Sequence, residues 1–127
     1  MILGVGIDIV HTDRLEHWRR QPGLIHRFFH PQEIVDAESR GASMIQSLSA
    51  RFAAKEAFGK AIGTGLSGLK LQDIQVNNSH NGKPRIILHG AALEYFKKIG
   101  GESLFVSLTH ERENAVAVVI IEGKGHR

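Results

Sequence analysis

The chain has 127 residues, 42% of them hydrophobic and 23% charged, with a formal net charge of +3. That balance fits one globular domain with its own core and excludes a disordered, fibrous or membrane protein. No cysteine is present, which removes disulfides, thiolate metal sites and a cysteine nucleophile; no apolar run reaches the ~20 residues of a membrane helix, and no export signal precedes the first strand, so a cytoplasmic protein is expected.

In residues 1–10, Leu3, Val5, Ile7 and Ile9 alternate with Gly4, Gly6 and Asp8, the period of a strand with one buried face. The apolar set is expected to face the core and Asp8 to point away from it. Gly4 and Gly6 leave the Asp8 side bare, open to another backbone or a ligand. Thr12 and Asp13 are N-cap candidates for a short helix carrying Leu15 and Trp18, which Pro22-Gly23 ends. Pro31 suits a first helical position, with Glu33 in the first turn, Ile34 facing inward and Gly41 closing the piece.

The longest regular segment is a helix over 43–62 that stops at Gly63. At 100° per residue, Ala50, Ala53, Ala54, Ala57 and Ala61 form one arc, and side chains that small predict close packing on a sheet. Arg51 and Lys55 lie on one border of the arc, Glu56 and Lys60 on the other. Residues 63–68 form a loop, a strand covers 74–77, Asn81-Gly82 makes a hairpin turn, and a second strand covers 85–88 with Pro84 at its start. A helix over 91–99 follows, then strands over 104–108 and 115–121 paired as a hairpin around 110–114, and a frayed basic tail. The expectation is a single α+β domain, 1–127, with an antiparallel sheet against a long central helix.

Several residues invite chemistry, each with a plainer alternative. Asp8, a charge in an apolar strand, requires a partner or a ligand unless it caps the turn at Thr12. Glu56 offers a second carboxylate, and two such groups favour a hard cation such as magnesium that keeps waters and shares phosphates; otherwise Glu56 and Lys60 are a surface i,i+4 salt bridge. The run Gly63-Thr64-Gly65-Leu66-Ser67-Gly68-Leu69-Lys70 lacks the Gly-Lys-Ser/Thr ending of a phosphate loop and reads as a helix stop or a close ligand approach. Ser107, Thr109 and His110 have no nucleophile-elbow context and no acid to orient the imidazole, which argues against covalent catalysis. Asn77-Asn78-Ser79 matches a glycosylation sequon that carries no meaning without a secretory signal. Arg14, Arg19, Arg20 and Arg27 cluster near the N-terminus, where they face either solvent or an acidic partner: nucleic acid, a phosphate-rich cofactor or an acidic protein.

Four ordered motifs nevertheless resemble the holo-[acyl-carrier-protein] synthases, the small trimeric class of phosphopantetheinyl transferases. They are Gly4-Val5-Gly6-Ile7-Asp8-Ile9-Val10; Arg51-Phe52-Ala53-Ala54-Lys55-Glu56-Ala57-Phe58-Gly59-Lys60-Ala61 running into Gly63-Thr64-Gly65; Gly82-Lys83-Pro84; and Ser107-Leu108-Thr109-His110. The resemblance implies transfer of 4'-phosphopantetheine from coenzyme A to a serine of an apo acyl carrier protein in fatty acid biosynthesis.

It implies that Asp8 and Glu56 hold magnesium with the coenzyme A pyrophosphate, that Lys60 contacts that pyrophosphate, and that Asp8, Glu56 and Lys60 together form the catalytic group. Arg51 and His110 would hold the 3'-phosphate; Gly63, Thr64, Gly65, Gly82, Lys83, Pro84, Ser107 and Thr109 complete the expected cofactor-binding set. The pocket would lie between subunits of a homotrimer, so that Arg51 serves one site while Glu56 and Lys60 serve another. Arg14, with Arg20 and Arg27, would face the acidic carrier protein. Glu56, directly or through a metal-bound water, is the expected base for the serine proton. Asn114 departs from the aromatic common after the His110 motif. The competing readings are a basic nucleic-acid-binding module, resting on the sequence pI near 9.5 and the arginine cluster, and a magnesium-dependent nucleotide phosphohydrolase. No nucleic-acid or membrane partner is expected on the leading reading.

Overall fold

The computed structural model describes residues 1–78 and 82–124. Asn81 of the expected turn, Ser79 of the sequon, and Gly125, His126 and Arg127 of the tail lie outside the described residues.

Ten regular elements follow one another along the described chain: β1 (Ile2–His11), α1 (Thr12–Arg19), α2 (Pro22–Phe28), α3 (Pro31–Glu38), α4 (Met44–Ile62), β2 (Ile74–Asn78), β3 (Pro84–Leu88), α5 (Gly90–Lys98), β4 (Gly101–Glu111) and β5 (Asn114–Gly123). Strands β1, β5 and β4 form an antiparallel sheet with β5 in the middle, and β2 pairs antiparallel with β3 in a second, two-stranded sheet. The expected α+β class, the long central helix and the β4–β5 hairpin are all present. Among the described residues no helix is long and apolar enough to cross a membrane.

Helix α4 lies across the three-stranded sheet, and its small residues determine how closely. Ala53, Ala54 and Ala57 are fully buried. Opposite them, Gly4 and Gly6 present bare backbone: a Cβ on either would come within 1.9 Å of a carbonyl oxygen of α4, Ala61 O for Gly4 and Ala57 O for Gly6. That approach reverses the facing expected for β1. The Gly4, Gly6, Asp8 side faces the helix, and Val5, Ile7 and Ile9 are 58–62% exposed. Alternation alone marks two faces of a strand without stating which is buried; the glycine face wins because it admits a helix backbone.

The outward side of the sheet is correspondingly apolar. Val5, Ile120 and Phe105 form one row across β1, β5 and β4; Ile7, Val118 and Ser107 form the next; Ile9, Val116 and Thr109 the third.

The ends of the helices also refine the expectation. His11, one residue ahead of Thr12, caps α1 by accepting from the Asp13 amide at 3.3 Å. Pro22 opens α2 instead of ending α1, which its fixed φ and missing N–H permit at a first turn. Pro31 opens α3 as expected, behind a capping box in which His30 Nδ1 accepts from Gln32 N and Glu33 Oε1 accepts from His30 N. Helix α3 ends at Glu38, before Gly41. Gly63, at φ 93°, closes α4 in the left-handed conformation.

Candidate functional site: two charged groups flanking one helix

The first group gathers where β1 meets the second half of α4. Asp8 lies on the helix-facing side of β1 with its side chain 16% exposed, and the Lys60 ammonium donates to Asp8 Oδ1 at 2.9 Å and to the Ile7 carbonyl at 3.0 Å. Glu56, one turn before Lys60 and half-buried, belongs to the same group. Burial pushes its carboxyl pKa up, the neighbouring negative charge of Asp8 pushes it further, and Arg14 and Lys60 act the other way. Glu56 feels the charge of Asp8, and among the described residues no group of three or more His, Asp or Glu forms a fuller cage; two carboxylates are a donor set that would suit a cation keeping most of its own waters, such as magnesium. Lys60 therefore pairs with Asp8 across the elements, where the plain alternative paired it with Glu56.

Arg14 adjoins this group. Its guanidinium stands 5.0 Å from the centroid of Phe52, and its charge is felt at Glu56. Trp18 packs edge-on to Phe52 at 5.1 Å and against Phe28 at 5.2 Å, so an aromatic cluster seats α1 on α4 and carries Arg14 to the rim of the carboxylate pair. Arg20, just past the end of α1, and Arg27, in α2, are both exposed, with Arg27 5.6 Å over the Phe28 ring.

The second group lies on the other flank of α4. Arg51, only 2% exposed, donates from Nη1 to the Val76 carbonyl at 2.5 Å, from Nε to Ser47 Oγ at 3.3 Å, and from Nη2 to Asp36. Its guanidinium lines a cleft of about 400 Å³ together with Arg40, Asn78, Gly82, Pro84 and His110. Burial lowers its pKa, and the charges of Glu33 and Asp36 oppose that. Strand register places His110 on the same side of the sheet as Val10 and Leu108, whereas Ser107 and Thr109 occupy the outward apolar rows. Ser107, Thr109 and His110 are therefore divided between two faces. Lys83 is exposed beside Gly82 and Pro84.

Gly63, Thr64 and Gly65 turn back over the end of α4. Gly65 N donates to Gly59 O at 2.9 Å, Thr64 Oγ1 donates to Gly65 O at 2.9 Å, and a Cβ on Gly59 would lie 2.6 Å from Gly65 O. This turn is twelve residues beyond Arg51, about 18 Å along the helix axis at 1.5 Å per residue. It borders the Lys60 end and is remote from the Arg51 cleft.

A buried ion pair that the sequence reading missed holds the flank of Arg51 in place. Lys55 Nζ donates to Glu33 Oε1 at 2.6 Å, to Leu71 O at 2.9 Å and to Ile74 O at 2.5 Å, and neither side chain is exposed at all. Glu33 Oε2 also accepts from Val76 N at 3.1 Å. The pair ties α3, α4 and β2 together beside the carbonyl that holds Arg51. Glu33 reads locally as a first-turn residue of α3, and nothing in the sequence joins it to a lysine 22 positions away.

The chain that carries these two groups, carboxylates beside an ammonium on one flank of α4 and a buried guanidinium on the other, has relatives of known fold. The chain belongs to the 4'-phosphopantetheinyl transferase superfamily, whose profile matches residues 4–119. A protein of Treponema denticola named holo-[acyl-carrier-protein] synthase is 53% identical over 123 residues, covering 97% of this chain and all of the relative. The crystal structure of holo-[acyl-carrier-protein] synthase from Neisseria meningitidis superposes with a TM-score of 0.86 at 31% identity, covering 96% of this chain and 99% of that one. The Bacillus anthracis synthase, solved in complex with CoA (3',5'-ADP), gives a TM-score of 0.80 at 32% identity over 98% and 99% of the two chains.

Proposed function

We infer that this chain transfers the 4'-phosphopantetheine arm of coenzyme A to a serine of an apo acyl carrier protein and releases adenosine 3',5'-bisphosphate. The observation that carries this reading is the carboxylate pair Asp8 and Glu56 beside Lys60, in a chain matching holo-[acyl-carrier-protein] synthases from end to end.

Asp8 and Glu56 would hold magnesium, which when bound neutralises charge on the pyrophosphate. With Asp8 so engaged, Lys60, half-exposed on its flexible stem, is left to face the same pyrophosphate and offset the charge that builds on the leaving bisphosphate. The serine Oγ of the carrier attacks the β-phosphorus; the new P–O bond forms as the bond to the oxygen bridging toward the α-phosphate breaks. The serine proton passes to Glu56. In the cation-free chain burial and the charge of Asp8 raise the Glu56 carboxyl; a bound cation would act the other way, so the role of Glu56 as base rests on its position beside the reacting group.

Arg51 and His110 hold the 3'-phosphate in the cleft that Gly82 and Pro84 border, with Lys83 alongside. One chain cannot apply both groups to one coenzyme A. Arg51 and Lys60 are nine residues apart on α4, and at 100° per residue they point in opposite directions. A site assembled from two copies resolves this, and the outward apolar rows Val5, Ile7, Ile9 and Phe105 supply a surface for the contact. The reading is a site between subunits, and the likeness to the trimeric synthases makes the assembly a homotrimer. Thr109 and Ser107, on that outward face, would reach a neighbour's site in place of their own, and Gly63, Thr64 and Gly65 would border the pyrophosphate end.

Arg14, with Arg20 and Arg27, receives the acidic carrier. Because Arg14 also stands beside Glu56, it links carrier docking to the reacting group. Arg14→Ala is expected to raise KM for the carrier protein at least fivefold with KM for coenzyme A little changed; a rise in the coenzyme A value instead would move Arg14 into the nucleotide site.

A further inference from the structure

Asp36, in α3, brings two guanidinium groups to one oxygen. Arg51 donates to its Oδ2 through Nη2. Arg40, four residues after Asp36, donates to the same oxygen from Nε at 3.1 Å and from Nη2 at 3.0 Å. Two like charges that would otherwise separate are thus held side by side in the wall of the Arg51 cleft, which Arg40 lines together with His110.

The two arginines differ in freedom. Arg51 is buried and fastened to Val76 O and Ser47 Oγ. The Arg40 side chain is 40% exposed and its Nη1 has no hydrogen-bond partner among the described residues. One edge of the Arg40 fork is anchored and the other is open, the arrangement of a guanidinium prepared to take an anionic oxygen with little reorganisation. A salt bridge serving only the end of α3 would need neither the cleft nor the carboxylate shared with Arg51.

We propose that Arg40 is a third cationic ligand of the 3'-phosphate of coenzyme A, set in place by Asp36, so that two guanidiniums and an imidazole grip the terminal monoester. This rests on the coenzyme A reading above. It makes Arg40 a specificity residue: its contribution is felt by nucleotides that carry a 3'-phosphate and not by those that lack one. Asp36 is the positioning residue. The Asp36 charge also leaves Arg40, Arg51 and Asp36 together with one net positive charge, less self-repulsive than two.

The test is equilibrium binding of adenosine 3',5'-bisphosphate and adenosine 5'-monophosphate to the full chain by titration calorimetry, for wild type, Arg40→Gln and Arg40→Lys. The preference of the wild type for the bisphosphate is expected to fall about tenfold in Arg40→Gln, the size of one lost charge-assisted hydrogen bond. Arg40→Lys, which keeps the charge but not the fork, should fall between them. A preference unchanged by Arg40→Gln, or a wild type with no preference for the 3'-phosphate, overturns the proposal. So does an equal weakening of both nucleotides, which is the mark of a merely structural residue. A wild type that shows the expected preference yet modifies no carrier protein would refute the transferase reading alone.

Discussion

Asp8 and Glu56 stand close together on different elements: burial first, and then the charge on Asp8, raise the carboxyl of Glu56, while Lys60 donates to the Asp8 oxygen. If both carboxylates are needed, Asp8→Asn and Glu56→Gln should each lower kcat at least about 100-fold, the usual loss for a general base or charge-positioning group. Steady-state kinetics on folded variants, with magnesium titrated, checks this; full activity in Asp8→Asn would dismiss the metal assignment. The buried Lys55 makes a different prediction, about stability. Lys55→Met leaves Glu33 charged and unpaired in the interior and should cost about 3–5 kcal/mol, while Lys55→Met with Glu33→Leu should recover most of it. Burial also lowers the Lys55 pKa to about 8. Between about pH 8 and the ordinary lysine value near 10.5 the unfolded chain keeps a proton that the folded chain has lost, so this group alone makes the free energy of unfolding rise with pH. Urea denaturation across that window should show wild type gaining stability relative to the double variant; a relative loss would contradict the sign.

At the scale of elements, the contact of β1 with α4 decides where both charged groups stand. Gly6→Ala would drive a methyl into the Ala57 carbonyl, so the strand and helix must separate. A loss of about 3 kcal/mol or more is expected in thermal or chemical denaturation, and a wild-type melting temperature would refute the packing described. This contact also marks how much the sequence revealed. The alanine arc of α4 and the period of β1 were both legible, because each is a local repeat. The facing of β1 was not, since its two sides compete: branched apolar residues on one, glycine and aspartate on the other. Single-chain reasoning assigns the branched side to the core. Gly4 and Gly6 fit Ala57 and Ala61 so closely that the helix takes the bare side, and Val5, Ile7 and Ile9 are left facing out. Helix α4 fixed the residue types of the candidate site; the partners Glu33 and Asp36 stayed hidden because they lie 22 and 15 positions from Lys55 and Arg51, beyond any local pattern.

For the whole molecule, the outward apolar rows and the opposed flanks of α4 support the proposal above, on which a working site draws on two chains. Arg51→Ala and Glu56→Gln, each inactive alone, should regain part of the wild-type rate when mixed under conditions that exchange subunits, since some interfaces would then carry neither substitution. No recovery despite exchange, verified by native mass spectrometry, would place the site within one chain. Ile7→Asp should both break the assembly and abolish transfer. Most direct of all is the reaction itself: incubate the protein with coenzyme A, magnesium and an apo acyl carrier protein, and weigh the carrier. The account predicts a carrier heavier by one phosphopantetheine on its serine, with adenosine 3',5'-bisphosphate released in equal amount. An unmodified carrier, or free phosphopantetheine in solution, would contradict it.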